Sequence, residues 1–495
     1  MRELLAKSGH ELLELIESGE LDHTELQEVQ YQFARAIEPK LNSFISWDEK
    51  VEAMAWDLDL SSAGPRRFHQ LPYAAKDIFT TRGLQSTAGS KILEGYIPPY
   101  DASCVAHLRH EKNHLMGKTN LDEFAMGSSG EMSAYGVTRN PWSFAHVPGG
   151  SSSGSAAAVA ACQCVMALGT DTGGSVRQPA SFCGIVGYRP TYGLVSRYGL
   201  IAYASSCDQA GIFARSTLDI ALTMNTISKP DPQDSTCQAT GNIDFYSEAK
   251  RDVHWSKLRV GVLKPFLDPQ RIQAPVLANL KASLEAMAAA GAQIVELDFP
   301  LTDYLLPAYY IITAAECSSN LARFDGFRYG LASEMAGLQE RYRDVRSHGF
   351  GSEVKRRILL GTYVLSAGYY DAYYDRARRM RRDIRVALDE MFTRIDVLVT
   401  PTSPSLPFKF GERLPDPVLM YMSDICTVFV NLAGTAGINL PNGWGEADGV
   451  RLPTGLQFVC APFRDALLLR VAHAFEQLTG WRYEPPAWVK AELGI

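Results

Sequence analysis

Three residues in this chain have the side chains and the surroundings that acyl chemistry requires: Lys76, Ser151 and Ser175. Ser175 closes the turn Gly169-Thr-Asp-Thr-Gly-Gly-Ser175. The N–H groups of Thr172, Gly173 and Gly174 can converge there on one point. Such a nest at a helix start stabilises a developing oxyanion. The competing reading is a glycine-rich turn capped by a serine. A serine becomes a nucleophile only beside a base. No histidine lies between His146 and His254, so a local Ser-His pair is absent, although a distant histidine stays open. Lys76 is the other candidate. It lies in Leu71-Pro-Tyr-Ala-Ala-Lys-Asp-Ile-Phe79, where desolvation can lower a lysine pKa by up to about 3–5 units and leave a neutral amine. The alternative there is an ion pair with Asp77 or another carboxylate.

The stretch Gly150-Ser-Ser-Ser-Gly154 also matches G-x-S-x-G, which would make Ser152 the nucleophile of a strand-to-helix elbow. An elbow follows a hydrophobic strand, however, and this one follows Asn140-Pro-Trp-Ser-Phe-Ala-His-Val-Pro148. The stretch fits neither of the two glycine-rich phosphate-binding patterns.

The surrounding elements can be read from periodicity and caps. Ser8-x-x-Glu11 and Thr24-x-x-Gln27 have capping-box spacing and predict two opening helices, the second reaching about Ala36. A polar loop spans Ser61 to Arg67, and Leu71 to Phe79 reads as a buried strand running into a turn. Residues 140–150 are an irregular loop. Ser155 to Ala161 is a small-residue helix, Val165 to Leu168 a short strand, and a further helix begins near Val176–Pro179. Ser216 to Ile227 reads as a helix, and 230–256 as a linker or long surface loop. Strand Leu258–Leu263, helix Ala274–Ala290 and strand Gln293–Leu297 form a β-α-β unit, which implies parallel strands. Residues 305–393 are mostly helical, Ile395–Val399 is a strand, and Asp465–Leu478 is a closing amphipathic helix.

Composition excludes several classes of function. The net charge of -7 argues against a broad basic surface for nucleic acid. The densest basic run, Arg376, Arg378, Arg379, Arg381, Arg382 and Arg385, has Asp371, Asp375 and Asp383 interspersed. It reads as a solvated helix face before an RNA or partner contact. Nine cysteines, odd in number and without a CxxC repeat, predict reduced thiols and neither zinc ligands nor disulfides. No signal peptide and no membrane-length apolar run is evident, so the expected location is the cytoplasm.

Taken together, three segments resemble the amidase signature family: AAKDIF around Lys76, PGGSSSGSAAAVAA around Ser151, and GTDTGGSVRQPASFCGIVGYRPTYGLVSRYG around Ser175. The resemblance implies an α/β fold: a mixed, mostly parallel twisted sheet with helices on both faces. It implies one large domain over 1–495, with a signature core at 65–220 and a C-terminal part at 257–495 that completes the sheet and the pocket. By motif, Ser175 is the nucleophile, Ser151 a bridging serine held by a cis peptide, and Lys76 the base. The backbone N–H groups of Thr172, Gly173, Gly174 and Ser175 form the oxyanion hole. Ser153 stands where the family usually has glycine, and Asn442 where a cysteine is frequent.

The stretches at 309–330, 349–374, 397–412, 430–443 and 452–459 resemble the glutaminase branch of that family. That branch implies hydrolysis of glutamine to supply ammonia for converting Glu-tRNA(Gln) to Gln-tRNA(Gln). It also implies partner subunits B and C, tRNA held mainly through the partner, and no cofactor or metal in this chain, with ATP and Mg used at the partner. Glutamine would be gripped by Tyr309 (or Tyr310), Arg357 (or Arg356) and Asp424, the arginine for the α-carboxylate and the aspartate for the α-ammonium. The alternatives are a free-standing amidase for another small amide, a non-catalytic scaffold of the same fold, and a Ser-His hydrolase.

Overall fold

Lys76 closes a fully buried strand, and the fold is best followed outward from it. The computed structural model describes residues 1–49, 65–239 and 241–495. The first four residues of the expected polar loop, 61–64, lie outside the described residues. Eleven strands form one sheet: β1 (Phe44–Trp47), β2 (Pro72–Lys76), β3 (His114–Thr119), β4 (Met166–Thr170), β5 (Val186–Arg189), β6 (Ala210–Ala214), β7 (Arg259–Leu263), β8 (Gln293–Leu297), β9 (Val397–Pro401), β10 (Gly437–Ala447) and β11 (Val450–Val459). Their spatial order is β1-β3-β2-β4-β6-β5-β10-β11-β9-β7-β8.

The sheet is mixed, as expected. Parallel pairing builds its two flanks, β3-β2-β4 and β9-β7-β8, where strands are joined by helical crossovers. The centre from β4 to β9 is antiparallel and includes the long hairpin β10–β11. Asp448 and Gly449, both at positive φ, close that hairpin. Because β2, β3 and β4 run the same way, Lys76, Thr119 and Thr170 all end at one edge of the sheet. In open α/β sheets a ligand crevice forms at such carboxyl ends.

Helices cover both faces. On β5 the Cα of Gly187 lies against Ala180 in helix Arg177–Cys183, while its neighbour Tyr188 points the other way. The Tyr188 hydroxyl donates to Asp465 Oδ1 at 2.5 Å, at the start of helix Asp465–Thr479. Asp465 also accepts from the Thr191 N–H (2.9 Å) and hydroxyl (2.6 Å) and is 1% exposed. Asp465→Ala would leave three donors unsatisfied in the core, a loss on the order of 3 kcal/mol. A clear fall in the denaturation midpoint is the expected result.

The local reading of the sequence mostly carries over. Ser8 and Glu11 form the capping box, and Ser216 caps helix Thr217–Ile227 by accepting from the Asp219 N–H. The second opening helix differs. Asp22, not Thr24, is its cap, accepting from the Thr24 and Glu25 N–H groups, and the helix runs from His23 to Leu41. Asp places its acceptor one carbon from the backbone, so it captured the start two residues earlier. Residues 305–393 hold the helices Leu305–Asn320, Leu338–Gly349, Ser352–Val364 and most of Asp375–Arg394.

Candidate active site

Consecutive strand residues point to opposite sides, and this separates Lys76 from Asp77. Asp77 faces Lys118, whose Nζ is 3.0 Å away, and is satisfied there. Lys76 turns instead into the crevice, where its Nζ donates to Ser151 Oγ at 2.8 Å and to Thr170 Oγ1 at 2.9 Å. It is fully buried and has no carboxylate within ion-pair distance among the described residues. Burial pulls its pKa from the ordinary lysine value down to about 7, against the opposing charges of Asp122, Asp171 and Asp208. The amine is therefore poised to accept a proton near neutrality.

Ser151 follows a cis peptide bond from Gly150 and is fully buried. Its neighbour Ser152, the serine of the G-x-S-x-G match, is committed to structure. The Ser152 hydroxyl donates to the Thr170 carbonyl and accepts from the Thr170 N–H, stitching the loop onto β4. Ser153 rests against Gly130, where a Cβ would come within 2.7 Å of its own Cβ. The glycine thus makes room for this departure from the family pattern. Asn442 lies elsewhere, bonded to Ser283 and Thr454.

Ser175 approaches the same loop through its carbonyl oxygen, which accepts from the Ser152 N–H at 3.3 Å. At 8% exposure it is the most accessible of the three residues, as a group that must meet substrate should be. Asp171 shapes the turn around it. That carboxylate pairs with Arg177 at 2.8 Å and accepts from the N–H groups of Gly174 (3.1 Å) and Val176 (3.2 Å). The N–H groups of Thr172, Gly173 and Ser175 have no acceptor among the described residues. The turn therefore offers three free donors, and Gly174 is the exception within the expected set of four.

The predicted substrate residues gather beside this turn. A Cβ on Gly173 would fall 2.4 Å from the Tyr309 hydroxyl, so Tyr309 abuts the donor turn itself. Tyr310 takes a different position. It donates to Asp424 Oδ2 at 2.8 Å and stacks on Tyr421 at 4.0 Å. Burial pushes Asp424 up to about 6, while hydrogen bonds from Tyr310 and Ser128 and the charge of Arg357 work against it. Arg357 is buried, bonded to Glu353 Oε1 (2.8 Å) and to the Tyr203 hydroxyl (2.7 Å). Its guanidinium also lies over the rings of Tyr203, Tyr310 and Tyr421. Arg356, by contrast, is half exposed and only pairs with Glu353.

Sequence reasoning missed the residues that join these parts. Ser128 Oγ donates to Asp424, Gln178 Nε2 donates to the Ser128 carbonyl, and the Gly150 N–H donates to Gln178 Oε1. A continuous chain of hydrogen bonds thus runs from the cis-peptide loop to the Asp424 grip. The available signal was the polar Ser128-Ser129 pair inside an otherwise apolar, glycine-bearing stretch. No histidine hydrogen-bonds to Ser151 or Ser175 among the described residues. All nine cysteines are free; eight are buried and Cys237 is half-buried. No helix of the described residues is long and apolar enough to cross a membrane.

A buried lysine bonded to a serine, and a second serine in a donor-rich turn, form a constellation that known proteins share. The family model Amidase matches residues 26–469. The A subunit of the glutamyl-tRNA(Gln) amidotransferase from Thermoanaerobacter pseudethanolicus is 46% identical over 489 residues, covering 98% of this chain and 99% of the relative. The crystal structure of its counterpart, the A subunit of the glutamyl-tRNA(Gln) amidotransferase from Thermotoga maritima, superposes with a TM-score of 0.79 at 39% identity, covering 96% of this chain and 95% of that one. The peptide amidase from Stenotrophomonas maltophilia gives 0.80 at 29% identity, with coverage of 97% and 98%. With most of its length matched by the family model and its nearly full length aligned to such relatives, the chain belongs to the amidase family, the enzymes of the amidase signature.

Proposed function

We propose that this chain is the glutaminase subunit of a tRNA-dependent amidotransferase, hydrolysing glutamine to glutamate and ammonia. The buried Lys76–Ser151 hydrogen bond beside the Ser175 turn is the observation that carries the chemistry. Neutral Lys76 takes the proton of Ser151 as Ser151 takes that of Ser175, and Ser175 Oγ attacks the side-chain amide carbon. The N–H groups of Thr172, Gly173 and Ser175 receive the oxyanion. As the C–N bond breaks, the proton returns through Ser151 to the leaving ammonia, and water then hydrolyses the glutamyl ester by the same relay.

Arg357 receives the α-carboxylate and Asp424 the α-ammonium, with Tyr309 closing the turn side of the pocket. The names of the relatives support the choice of glutamine. They also support a complex in which ammonia passes to a partner that amidates Glu-tRNA(Gln), with ATP and Mg at that partner, in the cytoplasm. Co-purification with subunits B and C and a glutaminase assay of the complex test this reading. A chain that hydrolyses other small amides better than glutamine, with or without those subunits, would be a free-standing amidase instead.

The base makes a pH prediction. Only the neutral amine accepts a proton, so kcat/KM for glutamine rises as pH increases through about 7, the Lys76 value, and levels off above it. A profile flat from pH 6 to pH 9 contradicts Lys76 as the base.

A further inference from the structure

Asp122 touches the site from three sides. It lies just beyond β3 and is fully buried. Its own N–H donates to the Ser151 carbonyl at 3.0 Å. Its carboxylate accepts from the N–H groups of Gly130 (3.0 Å), Met132 (3.0 Å) and Ser129 (3.3 Å), drawing the 128–132 loop inward. That loop carries Ser128, the partner of Asp424. The same carboxylate presses on Gly150: a Cβ there would fall 2.0 Å from Asp122 Oδ2.

The charges facing Lys76 come from three segments. Asp171 follows β4, but its charge is matched by Arg177 at 2.8 Å. Asp208 precedes β6 and accepts from the Thr172 hydroxyl and the Tyr203 and Ala204 N–H groups. Asp122 has no ion-pair partner among the described residues, and of the three it pulls hardest on Lys76. The remaining neighbours of the amine are the hydroxyls of Ser151 and Thr170. A buried carboxylate satisfied only by backbone N–H groups keeps a charge that nothing else cancels.

We propose that Asp122 is a positioning residue of the relay, supplying the countercharge for the Lys76 ammonium while its backbone and carboxylate hold Ser151 and the Ser128 loop in register. This rests on Lys76 being the base. When the Ser151 proton reaches Lys76 Nζ, a charge appears in a site without water to solvate it. Asp122 is the fixed anion that offsets it, and the charge vanishes again when the proton returns to the leaving group. Ser128 extends the same clamp to Asp424, so substrate grip and relay share one anchor.

The test is Asp122→Asn, which keeps an oxygen acceptor for the loop and removes the charge. Two pH profiles are read: kcat/KM for glutamine, and the rate at which phenylmethanesulfonyl fluoride modifies Ser175. Without the countercharge the ammonium is harder to form, so the acid limb of both profiles moves to lower pH, by about one unit or more. The plateau kcat falls about tenfold or more, the scale of a displaced general base. Asp208→Asn serves as a comparison and shifts the limb less. An Asp122→Asn limb that stays in place while kcat falls overturns the proposal and leaves Asp122 a structural residue only. If Asp122→Asn does not fold, Asp122→Glu takes its place: an unmoved limb supports the retained charge, and a limb shifted down overturns it. The labelling profile does not involve glutamine. A mistaken substrate therefore leaves it intact, whereas a wild-type labelling rate independent of pH strikes at Lys76 itself.

Discussion

Ser175→Ala eliminates glutamine hydrolysis, lowering kcat at least about a thousand-fold, while ammonia-dependent product formation by the assembled complex persists. The asymmetry follows from the geometry. Ser175 is the only hydroxyl at the open end of the relay, since Ser152 is bound to β4 and Ser151 is buried behind it. Its loss removes the attacking oxygen but none of the contacts that shape the turn, because those run through Asp171 and the Ser175 backbone. The folded subunit therefore survives. Glutamine still binds, so KM changes little, and labelling by a sulfonyl fluoride ceases. Residual glutamine turnover near the wild-type rate would move the nucleophile elsewhere.

Asp171→Ala has the second large effect, and it falls on the fold as much as on the rate. Asp171 is fully buried, and Arg177 holds its carboxyl well below the usual carboxylate range, together with Arg189 and Asn431. Removing it strands the Arg177 guanidinium in the core, together with the Asn431 amide and the Gly174 and Val176 N–H groups. Breaking one partner of a buried pair costs about 3–5 kcal/mol. Against a total stability on the order of 5–15 kcal/mol, that is a large share. Soluble yield should collapse, and any protein recovered should melt far earlier and lack activity. A variant that folds normally and loses only rate would show that the turn holds its shape without the pair.

Much of the chemistry was legible because it is local. Ser175 and its donor turn occupy seven consecutive residues, and the apolar run around Lys76 announces desolvation directly. What the sequence left open was settled by through-space contacts. Whether Lys76 pairs with Asp77 depends on strand alternation and on Lys118, which pairs with Asp77 from the neighbouring strand. The choice between Arg356 and Arg357 depends on which side of helix Ser352–Val364 faces Tyr203. Tyr309 and Tyr310, offered as alternatives, both enter the site at different points. Gly174 drops out of the free donors because Asp171, three residues earlier, claims its N–H. The order of the sheet is beyond sequence reading for a similar reason. β5 pairs with β10 across some 250 residues of chain, and no local pattern records that register.

The long separation in sequence between relay and grip has an evolutionary consequence. Lys76, Ser151 and Ser175 all come before residue 180, whereas Tyr310, Arg357, Tyr421 and Asp424 come after residue 300. The two groups meet only through the thin bridge of Ser128 and Gln178. Substitutions in the later segment can therefore recruit a new amide without disturbing the machinery that cleaves it. A peptide amidase and a component of a glutamyl-tRNA(Gln) amidotransferase sharing this fold are what such a division of labour permits. Bond cleavage is inherited as a fixed cassette, and diversification falls on the half of the chain that selects the amide.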